Sequence, residues 1–210
     1  MYIPPPFAEH DPGTLIDLIR SHPLGMVSWI SGGRIETTPL PFLVDDAPGG
    51  ELRLQAHLPR VNPLARESVV EAVVTFLGPD AYISPGWYPT KRQHGRAVPT
   101  WNYAMVVVRG PGRIIPAGDW VEDQMRRLTT RHEAGRPDPW SIDDAPRDYV
   151  DALIASLVGL EIVATALEGK WKVSQNQPEI NRRGVIAGLH SRGEKADLAM
   201  AALVEAFARS

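Results

Sequence analysis

YISPGWYPTKRQHGRAVPTWNY, residues Tyr82 to Tyr103, is the stretch on which the reading of this chain turns. Five of the protein's eleven Trp and Tyr residues fall within it, where even usage would place about one. Flat rings beside the hydroxyls and amides of Ser84, Thr90, Thr100 and Asn102 suit a planar, partly polar ligand, the faces giving apolar area and the polar tips direction. Between the aromatic clusters, Lys91 to Arg96 is a run of cations and donors hinged at Gly95, which suits an anion. The plainer alternative is rings filling a core and a solvated basic loop. From Thr100 the stretch continues as a Val-rich strand to Arg109, which puts Thr100 and Asn102 on one face and Trp101 and Tyr103 on the other.

Working towards the N-terminus, Val69 to Leu77 has strand character and is apolar on both faces at Val73, Val74 and Phe76, as a central strand is. Gly78-Pro79-Asp80 is predicted to turn it into the aromatic stretch. Leu58 to Leu64 breaks an earlier strand, and Asn62 before Pro63 suits the cap of a short helix through Glu67. Glu51 to His57 alternates, with Leu52, Leu54 and Ala56 opposite Arg53, Gln55 and His57. A turn cluster spans Asp45 to Gly50. Gly25 to Ile30, the Ser31-Gly32-Gly33 turn and Arg34 to Val44 read as a hairpin. Pro39 and Pro41 place its second strand at an edge, at a bulge, or facing a ligand or partner. Asp11-Pro12 starts a helix to about Arg20 with Leu15, Ile16, Leu18 and Ile19 inward.

Towards the C-terminus, Gly110-Pro111-Gly112 is predicted to kink the strand. Asp119 with Glu122 resembles a capping box, opening a helix with Val121, Met125, Leu128 and His132 at helical spacing. Gly135 to Ala145 is a loop. Pro146 opens another helix, with Tyr149, Val150, Leu153, Ile154 and Leu157 inward. Leu160 to Leu167 reads as the last strand, and Gly169 turns it into Lys170 to Pro178. Helices follow from Pro178 to about Leu189 and from Glu194 to Arg209, parted by Gly193. Strands clustered early without regular strand-helix alternation give an α+β class, an antiparallel barrel with flanking helices and a helical C-terminus.

With 210 residues, 43% of them hydrophobic, the chain is long enough for one large domain or a domain with a helical appendage. The absence of cysteine excludes disulfides, thiolate metal sites and cysteine nucleophiles, and fits a reducing cytoplasm. No run approaches the roughly 20 apolar residues of a membrane span, and the N-terminus lacks a leader pattern. A net charge of -3 gives no footprint for non-specific nucleic-acid binding. No GxGxxG, Walker loop, GxSxG or HExxH occurs, and the six histidines never pair at close spacing, so no metal site is assigned.

Three polar constellations remain. His57, Arg60 and Asn62 end a strand, where side chains and backbone N-H groups suit a phosphate or simply an exposed capped loop. Pro99 to Tyr103 is the second. Lys170 to Gln177 (KWKVSQNQ) is an amide-rich turn whose donors either bind a heterocycle's carbonyls or satisfy the turn itself.

Taken in order, MYIPPPF at the start, HPLG (His22–Gly25), PLPF (Pro39–Phe42), RVNP (Arg60–Pro63), GPDAYISPGWY (Gly78–Tyr88), VPTWNY (Val98–Tyr103), LTTRHE (Leu128–Glu133) and GKWKVSQNQP (Gly169–Pro178) resemble the PaiB-type family of FMN-binding negative transcriptional regulators. The resemblance spans about nine-tenths of the chain and excludes the helix after Gly193. It implies a split β-barrel homodimer with FMN in a cleft between subunits, a barrel domain over residues 1–177, and a helical extension over 178–210 packed on it. Carried over, it puts Arg60 and Asn62, with His57 beside them, at the phosphate end. Ser84, Thr100, Trp101 and Asn102 line the flavin, and Lys170, Trp171 and Gln175 close the site from the other subunit. DNA is a partner by resemblance alone. Pro39 stands where the family pattern leads one to expect histidine. Beside the regulator stand two alternatives, an FMN-dependent oxidoreductase acting on a small molecule and a ligand-free dimeric interaction module.

Overall fold

The computed structural model describes residues 1–46, 50–67 and 69–208. In chain order the strands are β1 (Ala8–Glu9), β2 (Leu24–Ser31), β3 (Arg34–Pro41), β4 (Leu43–Asp46), β5 (Leu52–Pro59), β6 (Val69–Ile83), β7 (Thr100–Ile115), β8 (Leu157–Val163) and β9 (Ala166–Lys172). The helices are α1 (Pro12–Ser21), α2 (Lys91–His94), α3 (Asp119–Glu133), α4 (Arg147–Ser156), α5 (Glu179–Arg192) and α6 (Lys195–Ala208). This is the α+β, antiparallel split-barrel class expected from the sequence, with the sheet left open at β3 and β4. No helix among the described residues is long and apolar enough to cross a membrane. The chain divides into two compact units, Met1–Ser21 with Leu77–Val106 and Glu168–Ser210, and His22–Phe76 with Val107–Leu167.

In the second unit the sheet runs β3-β2-β6-β7-β8-β5-β4. Its first hairpin closes at Gly32 and Gly33, whose φ values of 55° and 78° give the two consecutive left-handed residues of a two-residue turn, with Ser31 opposite Arg34. Pro39 and Pro41 lie on β3, an edge strand, where no ladder donor is missed. The expected strand Arg34 to Val44 is divided at Phe42, whose N-H donates to Pro23 O at 2.9 Å. Of the turn expected over Asp45 to Gly50, Asp45 and Asp46 extend β4 and residues 47–49 lie outside the described residues.

Two further expectations are corrected here. β6 is central, between β2 and β7, as expected, but it is not buried on both faces: Val70, Ala72, Val74 and Phe76 are buried while Glu71 is exposed and Val73 half-buried, so one face is core and the other partly open. Phe76 packs edge-on to Phe42 with ring centroids 5.8 Å apart. Gly110-Pro111-Gly112 does not interrupt β7, which runs unbroken from Thr100 to Ile115; a Cβ on Gly110 would lie 1.9 Å from Val163 O, so the close approach of β8 is what requires glycine. Asp119 and Glu122 form no capping box, because Gly118 is the N-cap of α3 and Glu122 binds Arg126 and Arg147 instead. A capping box does form at Ser141 and Asp144.

The core of this unit includes Val121, Ile142, Val150 and Ile154. On α3 the buried positions are Val121, Gln124 and Leu128, with His132 exposed; on α4, Tyr149 and Leu153 also face outward. The single strand expected over Leu160 to Leu167 is two, β8 and β9. They part at Ala164 and Thr165, whose N-H groups donate to Leu52 O and Arg109 O.

In the first unit Asp11 caps α1, its carboxylate accepting from Thr14 N at 2.7 Å, and Leu15, Leu18 and Ile19 are buried. Gly78 and Gly169 do not turn the chain as predicted. Each lies within a strand pressed against α1, a Cβ meeting Leu18 at 2.9 Å in one case and Leu15 at 2.1 Å in the other. The burial alternation of β6 slips by one across Pro79 and Asp80, as an extra residue in a strand produces. β9 pairs with β1, Ala8 opposite Lys170. The final helix ends at Ala208 among the described residues, and Arg209 lies outside them.

Candidate functional site

The candidate site lies wholly within the first unit. The start of β7, the end of β9, the turn after it and the start of α5 enclose a cavity of about 440 Å³, inside the range of roughly 300–1,000 Å³ for small-molecule sites. Period-two alternation on β7 sends Thr100 and Asn102 inward, as expected, and leaves Trp101 55% exposed. Asn102 is 1% exposed, and its Nδ2 donates to Ser174 Oγ at 2.9 Å.

Ser174 is the one non-glycine residue with positive φ among the described residues, at 65°. A left-handed serine costs roughly 1–2 kcal/mol, and it persists where surrounding bonds fix it. Those bonds are Asn102 Nδ2 to Ser174 Oγ and Gln177 N to Ser174 O at 2.9 Å. Asn181, buried on α5, donates to Thr90 Oγ1 and to Gln177 Oε1, each at 3.0 Å. That pair of bonds ties the helix start to the aromatic stretch.

Lys172 supplies the charge. Its Nζ donates to Thr100 Oγ1 and Trp101 O. Burial, and then the neighbouring Lys170, hold its pKa below the ordinary lysine value. Burial likewise raises the Tyr88 hydroxyl. Arg96 also lines the cavity, and among the described residues no Asp or Glu does so. The walls therefore combine an aromatic ring, Val98 and Pro178 with hydroxyls, amides and positive charge.

Of the residues singled out from sequence, Thr100 and Asn102 meet at this cavity. Trp101 is not part of its wall; its ring lies edge-on to Tyr82 at 6.1 Å. Ser84 Oγ accepts from Gly86 N and so caps a 3-10 turn at Pro85–Trp87. The Lys170 ammonium sits over the Tyr103 ring at 5.3 Å and donates to Tyr2 O at 3.1 Å. Trp171 is core, and Gln175 folds back on its own turn, accepting from Val173 N and donating to Trp171 O.

His57, Arg60 and Asn62 belong to the second unit. Gln124 Nε2 donates to Gln55 O, so its Oε1 accepts, and the 2.6 Å contact is His57 Nδ1-H donating to it. Arg60 Nη2 donates to Ala155 O at 2.8 Å. Asn62 caps the 3-10 turn Pro63–Arg66 as expected, its Oδ1 accepting from Leu64 N at 3.0 Å. Sequence reasoning missed Lys172, Ser174 and Asn181 as individual site residues. The signal for the first two was present in KWKVSQNQ; Asn181 had none.

Comparison with known proteins gives concordant results. The family described as "Putative FMN-binding domain" matches residues 1–166, a span that includes Thr100 and Asn102 and stops short of Lys172. An uncharacterised protein of Emericella nidulans is 30% identical over 97% of this chain and 96% of its own length. The protease synthase and sporulation protein PAI 2 of Bacillus subtilis is 27% identical over 98% of this chain and 97% of its own. Among solved structures, an FAD and haem binding protein from Mycobacterium smegmatis superposes with a TM-score of 0.55 at 18% identity, over 79% of this chain and 73% of that one. The last likeness bears on the fold alone.

Proposed function

This chain belongs to the family described as "Putative FMN-binding domain", and from that premise we propose that it binds FMN in the cavity between β7 and the turn after β9. FMN is the cofactor the sequence led us to expect, and the residues present fit it. The observation that carries the reading is the Asn102 and Ser174 pair at a cavity with hydroxyl, amide and ammonium donors and, among the described residues, no carboxylate in its walls. An isoalloxazine needs donors for its ring carbonyls and apolar area for its faces, and Tyr88, Val98 and Pro178 supply the latter. When bound, FMN supplies hydride and one-electron transfer. The chain's own part is to hold and orient it, with Asn102 and Thr100 fixed on a rigid strand. The visible spectrum of purified protein, taken after adding FMN and desalting, tests this. A retained flavin band is expected, and a colourless protein overturns it.

For the role of the flavin, the resemblance to PaiB-type regulators supports repression of transcription by a cytoplasmic homodimer. The apolar face of the edge hairpin supports the dimer, since Ile30 and Ile35 are cross-strand partners 70% and 76% exposed, with Leu24 and Met26 also exposed along β2. A gel shift at physiological salt tests DNA binding, and absence of a shifted band removes the regulator.

A second reading is an FMN-dependent oxidoreductase, and one observation weighs against the regulator beside it. The arginines of α5 are engaged within their own unit: Arg182 with Gln177 O, Arg183 with Glu179 and Arg192 with Asp197. That leaves α5 poorly suited to phosphate contacts on DNA. Reduction of the bound flavin by NADH or NADPH, followed by reoxidation by an added acceptor, supports this reading; failure with both donors removes it.

A further inference from the structure

The chain draws its cations almost entirely from arginine, 18 residues against four lysines, Lys91, Lys170, Lys172 and Lys195. Where charge alone is wanted an arginine serves, because it keeps its proton; only a lysine can give the proton up and present a lone pair. Lys91 and Lys195 are exposed, whereas Lys170 and Lys172 stand half-buried on one face of β9 at period-two spacing. Lys172 is the one of the four that lines the cavity of the first unit.

The surroundings of its amine favour loss of the proton. Among the described residues no Asp or Glu lines the cavity, and burial first and Lys170 second hold the Lys172 pKa below the ordinary lysine value. The partners of Nζ are two neutral oxygens, Thr100 Oγ1 and Trp101 O. The carbonyl accepts an N-H from either protonation state, and the hydroxyl accepts from an ammonium or donates to the lone pair of a free amine, so both contacts survive deprotonation. A desolvated lysine beside a second cation is the arrangement that makes an amine attack carbonyl carbon. The wall also bears on the choice of ligand. Arg96 and Asn176 line the same cavity, so a ligand that carries a carboxylate meets a counter-charge and an amide donor there.

We infer that Lys172 is a nucleophilic amine that condenses reversibly with the carbonyl group of a small aldehyde or ketone bearing a carboxylate, held in this cavity. The free amine adds to the carbonyl carbon, a C-N bond forming as the carbonyl π pair moves to oxygen, and a proton passes from nitrogen to that oxygen. The nitrogen lone pair then closes C=N, and the oxygen leaves as water with the second nitrogen proton. One amine and one carbonyl compound give one imine and one water, and no oxidant or reductant is consumed. The inference goes beyond the FMN reading and does not rest on it, because the amine belongs to the cavity wall with or without a flavin.

The test is reductive trapping of the full chain at neutral pH with dilute glyoxylate and cyanoborohydride, the labelled lysines being identified by peptide mass mapping. The four lysines compete within one folded protein, so the first result needs no variant. Lys172 should be labelled at least about tenfold faster than Lys91 or Lys195. Glyoxylate should favour Lys172 over Lys195 by at least about threefold more than propionaldehyde does. Lys172→Arg, which keeps the charge, should lose the fast labelling at an unchanged melting temperature. Lys172 labelled no faster than the exposed lysines, or fast labelling that falls on Lys170 or survives in Lys172→Arg, overturns the inference. Equal preference with the two aldehydes overturns the requirement for a carboxylate. Saturating FMN should protect Lys172 if the flavin reading also holds. Fast labelling that bound FMN leaves unprotected keeps the inference and removes the flavin from this cavity, and flavin retention without fast labelling keeps the flavin reading and ends the inference.

Discussion

Asn102 on β7 donates a 2.9 Å hydrogen bond to Ser174 in the turn after β9, joining residues 72 positions apart where both side chains are buried. The bond makes one wall of the cavity from a strand that is rigid and a turn that is strained. It also accounts for a serine in a backbone region that serine seldom occupies.

That strain is measurable. Ser174→Ala and Ser174→Gly both remove the Asn102 partner, but only glycine relaxes at φ 65°. The glycine variant should be the more stable by about 1 kcal/mol, read as a higher denaturant midpoint. Equal midpoints would mean that the left-handed backbone carries no cost here.

Trp101 offers a contrast. Its ring lies outside the cavity wall and 55% exposed. Trp101→Ala should leave FMN affinity within about twofold of wild type, since a ring that stacks on a ligand is worth about 1 kcal/mol or more. A tenfold loss in an FMN titration would put the flavin on the Trp101 face of β7.

The seating of α5 depends on Gly188, where a Cβ would lie 2.2 Å from the Trp87 ring. Gly188→Ala should cost about 1–3 kcal/mol by overpacking. In a Trp87→Ala background the same change should cost under about 1 kcal/mol, because the obstructing ring is gone. Chemical denaturation of the four proteins of that cycle gives the answer, and an undiminished cost in the double variant would refute the packing account.

Acid sensitivity should centre on Glu122. Hydrogen bonds from Arg147 and Arg126 lower its pKa to about 2 from an ordinary 4.5, and the hydrogen bond from Arg126 holds Asp143 below its ordinary value. Because the folded value is the lower one, the stabilisation is complete above about pH 4.5 and is lost as pH falls towards about 2. Thermal melts across that window should show Glu122→Gln with a lower Tm at neutral pH and a shallower acid decline than wild type. Parallel declines would show that this cluster does not govern the acid limb.

Much of the fold could be read from local patterns. The hairpin at Gly32 and Gly33, the Asp11 cap, the edge position of Pro39 and Pro41 and the inward pair Thr100 and Asn102 all follow from residue preferences or period-two alternation. The misread places are those where a residue answers to a distant neighbour. Gly78, Gly110 and Gly169 look like turn residues, and each instead admits another element's backbone or side chain. The break between β8 and β9 falls at Ala164-Thr165, which carries no Gly or Pro and is held by Leu52 and Arg109. Glu122 looked like half of a capping box and is an arginine acceptor. At the site, Lys172 lay inside a run already marked as donor-rich. Its importance comes from what surrounds it, a cavity without carboxylates among the described residues, and one-dimensional spacing does not encode that.

The central claim is that the space between Thr100, Asn102 and the turn after β9 is where FMN binds. The most direct measurement is quenching of FMN fluorescence on titration into wild type and into Thr100→Phe, a variant that fills the cavity from a half-buried wall position. The account predicts saturable quenching by wild type and at least about tenfold weaker binding by the variant at an unchanged melting temperature. Equal affinity in the two proteins would contradict it and move the flavin elsewhere on the chain.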